Sequence, residues 1–168
     1  MKKIPIRTKS FSRLVEGNYY FVDKTLMIKE FLNRVTDVTL ITRPRRFGKT
    51  INMSMMAEFF DITKDSKEIF KGTKIMETPY AAEINQYPTI FITLREIEGR
   101  DFKEAFDIFK EKIINLYNSF SFLEYSDKLK TSDKELFNRL RHGAATNMEF
   151  IRSLSTLTRL LYSHYSKL

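Results

Sequence analysis

Residues 38–51 read Val38-Thr-Leu-Ile-Thr-Arg-Pro-Arg-Arg-Phe-Gly-Lys-Thr-Ile51, and the expected fold turns on this run. Its first four residues are a short apolar, β-branched segment of the kind that forms a buried parallel strand. Past Thr50, the residues Ile51, Met53, Met55, Met56, Phe59 and Phe60 recur at helical spacing up to Asp61, and the three methionines read as core. The local order is strand, loop, helix. Between them, residues 43–50 (RPRRFGKT) match three of the four defined positions of the phosphate-binding loop, Gly-x-x-x-x-Gly-Lys-Ser/Thr.

In that geometry successive backbone N–H groups and the positive end of the helix dipole meet a phosphate. Lys49 would then reach the β- and γ-phosphates and the Thr50 hydroxyl would ligate Mg²⁺, while the amides from Arg46 through Phe47 and Gly48 to Thr50 surround the β-phosphate. ATP with Mg²⁺ is the ligand this pattern implies. Gly48 lets the backbone approach closely with no Cβ in the way. Arg43 stands where glycine is usual, but Pro44 fixes its own φ and restrains Arg43 to extended angles, so Arg43 need not adopt the glycine conformation. Arg43, Arg45 and Arg46 either add charge near a triphosphate or another anion, or are solvated loop charges.

Working outward, residues 10–17 open on a possible serine cap, Ser10 or Ser12, and close on Gly17, which predicts a short helix. The β-prone run Tyr19-Tyr-Phe-Val22 follows, and then Leu26, Ile28, Phe31, Leu32 and Val35 form a helical stripe. Short helices are expected near residues 66–70, ended by Gly72, and near 79–84. Residues 87–94 (YPTIFITL) read as a second strand, with Pro88 at its entrance where no ladder donor is lost. Residues 101–120 show a long amphipathic pattern. Residues 132–140 predict a further helix, with Ser132 and Glu135 at capping-box spacing. Phe150, Ile151, Leu154, Leu157, Leu160, Leu161 and Tyr165 mark one face of a last helix. Strands alternating with helices predict an α/β fold, a P-loop-NTPase-like parallel sheet flanked by helices, with a helix-rich C-terminal half. Two strands fall short of the roughly three or more that a stable sheet needs, so the sheet is expected to be incomplete.

The chain of 168 residues is read as a single, partial domain over residues 1–168. It carries 29 Lys and Arg against 21 Asp and Glu, a net charge of +8 that favours polyanionic partners, nucleotides or nucleic acid. It has no cysteine, which excludes disulfides, thiolate zinc sites and cysteine nucleophiles. Two histidines, His142 and His164, are too few for a histidine-built metal centre. The basic N-terminus lacks the apolar stretch of ~7–15 residues of a signal peptide. No apolar run approaches the ~18 residues of a membrane span, and a cytoplasmic location is expected.

Hydrolysis of a nucleoside triphosphate needs an acidic residue at the end of a neighbouring strand to hold Mg²⁺. Downstream of the loop there is none, because residues 89–94 run into Arg95-Glu96. Upstream, the run YYFVD ends in Asp23, which could serve only if that strand neighboured the loop strand; otherwise Asp23 is a turn or helix-start residue. Glu96 and Glu98 read as a solvated turn. No catalytic residue is assigned.

The segments YYFVDKTLMIKEFL, VTLITRPRRFGKTINMSMMAEFFDI, KEIFKGTKI and QYPTIFITL resemble the AAA-ATPase-like domain of bacterial and archaeal proteins, whose C-terminal half is commonly a PD-(D/E)XK nuclease-like domain. The variant RPRRFGKT is itself a signature of that family, so Arg43 is normal there. The resemblance implies a P-loop NTPase core that binds ATP, with Lys49 and Thr50 at its phosphate and Mg²⁺ positions. It also implies a later apolar strand ending in Asp-Glu, which residues 1–168 do not contain. The expected product is an ATP-binding portion of such an ATPase that does not turn ATP over alone, with self-association or a missing C-terminal half as its partners. Two alternatives remain open at this level: a basic nucleic-acid-binding protein whose loop arginines meet backbone phosphates, and a small P-loop kinase.

Overall fold

The computed structural model describes Ile4 and residues 8–34, 36–42, 44 and 47–166, which divide into two units at the Phe91–Ile92 bond. In the first, α1 (Phe11–Glu16) starts where the Ser10 side chain accepts the Arg13 amide, and its first residue donates from N–H to Ser54 Oγ at 2.9 Å. α2 (Leu26–Asn33) follows a tight Asp23 turn, and α3 (Lys49–Phe60) follows the arginine-rich loop. α4 (Lys67–Phe70) and two 3₁₀ turns, Lys74–Glu77 and Pro79–Glu83, complete the unit's helices.

Their apolar faces meet in one core of Phe11, Ile28, Met55, Met56, Phe59, Phe70, Ile75 and Ile84. Phe70 lies between Phe11 and Phe59, with ring centroids 5.1 and 5.2 Å away, in the range of favourable aromatic pairs. The end of α3 is tied down by polar groups. Asn85 donates from its amide to the carbonyl oxygens of Glu58 (3.2 Å) and Asp61 (2.8 Å), and its Oδ1 accepts the Ser66 amide at 2.8 Å. Asn85 sits at φ +55°, a left-handed conformation that asparagine tolerates better than most side chains. The buried Glu58 carboxylate is met by Ser66 Oγ at 2.8 Å and Lys64 Nζ at 2.7 Å. Met53, expected in the core, is instead 43% exposed.

The predicted parallel sheet is not formed: the described residues contain no β-strand. Residues 38–41 make no ladder, and Val38 and Leu40 are each 83% exposed. Ile41 alone of that run packs against the core. Residues 87–94 reach only as far as a parallel bridge between Tyr87 and Asp61, with Ile62 N–H donating to the Tyr87 carbonyl at 2.9 Å. The reason is physical: a β-branched apolar run permits a strand, but its hydrogen bonds must come from a neighbouring strand, and none lies alongside among the described residues.

The second unit is helical. α5 (Phe102–Ser119) is capped by Asp101, whose carboxylate accepts the Glu104 amide at 2.8 Å. A 3₁₀ turn at Ser121–Tyr125 leads to α6 (Thr131–Arg141), α7 (Asn147–Ile151) and α8 (Ser153–Tyr165). Tyr117, Phe137, Leu140, Phe150, Leu157 and Leu160 form its interior, and the Tyr117 hydroxyl donates to the Ser153 carbonyl at 2.8 Å. The capping box predicted at Ser132 and Glu135 is absent. α6 starts one residue earlier without a side-chain cap, and the capping box lies instead at Thr146 and Glu149. The last stripe is broken at Arg152 into α7 and α8, leaving Ile151 60% exposed.

Candidate functional site

The loop delivers Gly48 to the start of α3 in the left-handed region, at φ +76° and ψ 16°. A Cβ added there would meet nothing nearer than Asn52 Oδ1 at 4.0 Å, so the backbone of this turn faces open space. The first α-helical bond is Asn52 N–H to the Gly48 carbonyl at 2.9 Å. The N–H groups ahead of it belong to the first turn, where an α-helix offers no intrahelical acceptors. α3 has no side-chain N-cap bond and no acidic residue in its first turn. A donor-rich, positively polarised helix end therefore begins at Gly48-Lys49-Thr50.

Lys49 Nζ donates to the Pro44 carbonyl at 3.1 Å, so its ammonium lies beside Pro44. Thr50 is exposed on the first turn of α3 and Phe47 is 58% exposed beside Gly48. Phe47, Gly48, Lys49 and Thr50 are thus contiguous at one helix end. The other sequence-predicted site residues, Arg43, Arg45 and Arg46, lie outside the described residues.

Asp23, the acidic residue considered upstream, is engaged in backbone hydrogen bonds. Its Oδ1 accepts the Thr25 amide at 2.8 Å and the Thr25 hydroxyl at 2.7 Å, and its Oδ2 accepts the Lys74 amide at 2.9 Å. Partial burial raises its pKa, but these hydrogen bonds together outweigh it and hold the carboxyl below the ordinary aspartate range. The Thr25 hydroxyl in turn accepts the Ile75 amide at 3.1 Å. Asp23 therefore organises the entry to α2. Glu96 faces Lys112 at 3.3 Å on an exposed turn. Among the described residues no three His, Asp or Glu side chains gather as a metal-holding group. No helix among them is long and apolar enough to cross a membrane.

A feature that reading the sequence missed adjoins the loop. Three residues of the β-prone run Tyr19–Val22, namely Tyr20, Phe21 and Val22, border a cleft of about 330 Å³ together with Phe47, Gly48 and Asn52. Its signal was present in the sequence as adjacent aromatics, but periodicity assigns those to a sheet.

A family model described as Predicted AAA-ATPase matches residues 5–167. Among curated proteins, the chain is similar to the "Uncharacterized protein in vnfD 5'region" of Azotobacter chroococcum mcd 1, at 36% identity over 75 residues. That match covers 44% of this chain and 14% of the relative. No solved structure matches the chain.

Proposed function

The chain belongs to the AAA-ATPase-like family, described as Predicted AAA-ATPase, and from that premise we propose that it binds ATP through the loop of residues 43–50. The observation that carries the reading is the Gly48-Lys49-Thr50 start of α3, where a left-handed glycine opens a helix end with no capping side chain. The γ-phosphate region would draw Lys49 away from the Pro44 carbonyl, exchanging a neutral acceptor for an anionic one. Backbone N–H groups from Phe47 to Thr50 would take the β-phosphate. Arg43, Arg45 and Arg46 add positive charge along the same loop.

The donor set fits Mg²⁺ carried in by the nucleotide, since the exposed Thr50 hydroxyl supplies one hard oxygen and phosphate oxygens supply others. Mg²⁺, when bound, neutralises phosphate charge. For the chain itself, the role of α3 is to hold and orient the phosphates. Residues 1–168 contain no apolar strand ending in Asp-Glu, so binding without turnover is the activity proposed for this segment alone.

The test is Mg-ATP binding by isothermal titration calorimetry, comparing the wild type with Lys49→Ala. A loss of ten-fold or more in the variant is expected, and equal affinity in both proteins would refute the assignment. Robust Lys49-dependent steady-state hydrolysis by this segment alone would refute the claim that it binds without turnover.

A further inference from the structure

The cleft beside Gly48 has a composition the phosphate loop does not explain. It is walled by Tyr20, Phe21, Val22 and Phe47, floored by apolar residues of α1 and α3, and bordered by Asn52 and Lys24. At about 330 Å³ it falls in the size range of small-molecule sites. Tyr20 and Phe47 are 60% and 58% exposed, a large amount of aromatic surface to leave in water at the mouth of an apolar cavity. Asn52 projects from the first turn of α3, and its side-chain amide makes no hydrogen bond with any described residue. A mainly apolar slot with aromatic lips, one lysine and an amide able both to donate and to accept matches a flat heteroaromatic ring with a polar edge, carried on an anionic molecule.

Phe47 and Gly48 belong both to this cleft and to the loop, so a single molecule with an anionic end and an aromatic end can reach both. We propose that the cleft receives the base of the bound nucleotide, with Tyr20 and Phe47 against its faces and the Asn52 amide on its edge. This rests on the phosphate-loop reading above and extends it to residues that reading leaves idle. The run Tyr20–Val22 is thereby assigned to a ligand wall.

The experiment compares two probes, Mg-ATP and inorganic tripolyphosphate with Mg²⁺, on the wild type and on Tyr20→Ala, Asn52→Ala and Lys49→Ala. Stacking on an aromatic side chain is commonly worth enough that Tyr20→Ala should weaken ATP roughly ten-fold. Tyr20→Ala and Asn52→Ala should leave tripolyphosphate affinity unchanged, whereas Lys49→Ala should weaken both probes. ATP affinity unaltered by Tyr20→Ala and Asn52→Ala would overturn the base site and leave the phosphate loop standing. Weakening by those two variants with no effect of Lys49→Ala would support the cleft and refute the loop. The chain has no tryptophan, so Tyr20→Trp supplies a single reporter that keeps an aromatic face. Its fluorescence should change on adding ATP and stay constant with tripolyphosphate; emission indifferent to saturating ATP would also overturn the proposal.

Discussion

Lys49 donates from Nζ to the carbonyl oxygen of Pro44, five positions earlier in the chain, at 3.1 Å. Lys49 is only partly buried and is not one of the core residues. Lys49→Ala is therefore expected to unfold at a temperature close to that of the wild type in buffer. In saturating Mg-ATP the wild type should gain about 2.7 kcal/mol at a hundred times Kd, seen as a rise in Tm that Lys49→Ala lacks. Differential scanning calorimetry with and without ligand checks both halves.

Gly48→Ala separates backbone conformation from steric fit. The site has room for a methyl group, but φ is +76°, where a non-glycine residue is disfavoured by roughly 1–2 kcal/mol. The substitution should lower stability by about that amount in urea unfolding and weaken Mg-ATP binding as the loop relaxes away from its left-handed turn. Unchanged stability would show that the turn is not held as described.

Asn85→Ala removes the side chain that bridges the end of α3 to Ser66: the buried Ser66 amide loses its acceptor, while the Glu58 and Asp61 carbonyls each lose one donor and keep Ser66 Oγ and the Lys64 amide. Each buried group left unsatisfied costs about 1–3 kcal/mol, and alanine at φ +55° adds strain. A loss of several kcal/mol is expected, measured by chemical denaturation; a loss below about 0.5 kcal/mol would contradict the bridging role.

Asp23 gives the first unit an acid-sensitive point. Its folded pKa lies below the ordinary value, so the charged form is favoured by folding; the stabilisation is present above the unfolded pKa and is lost as pH falls through the folded one. Stability should therefore decline below about pH 4, and Asp23→Asn should flatten part of that decline. Matching acid profiles for wild type and variant would remove Asp23 from the account.

In the second unit, the fully buried Ser153 accepts the Tyr117 hydroxyl through its carbonyl while its own Oγ has no partner. Burying an unpaired hydroxyl is unfavourable, and alanine keeps the backbone acceptor. Ser153→Ala should leave stability equal or raise it by up to about 1 kcal/mol, whereas Tyr117→Ala should cost about 3–5 kcal/mol. A strongly destabilised Ser153→Ala would mean that the hydroxyl has a partner, such as a buried water.

How much could be read ahead of the structure differs by element. The Ser10 cap, the α3 stripe and the 101–120 pattern correspond to helices with nearly those bounds. Each depends on side chains three or four positions apart. The capping box was misplaced because Ser132 and Glu135 have the required spacing but lie inside α6, while Thr146 stands at a true helix boundary. For the candidate site, the glycine, lysine and threonine could be named from the motif. The cleft beside them could not, since Tyr20 and Asn52 lie 32 positions apart in the chain and are brought together only by packing.

The sequence by itself determined the helices and the Gly48-Lys49-Thr50 start of α3. A helix closes its hydrogen bonds within one turn of its own chain, and its caps and apolar faces are therefore written locally. Whether residues 38–41 and 87–94 became strands was decided only by the tertiary structure. A strand takes its hydrogen bonds from another segment, and among the described residues the apolar runs find a helical core, one bridge or a cleft wall, but no strand beside them.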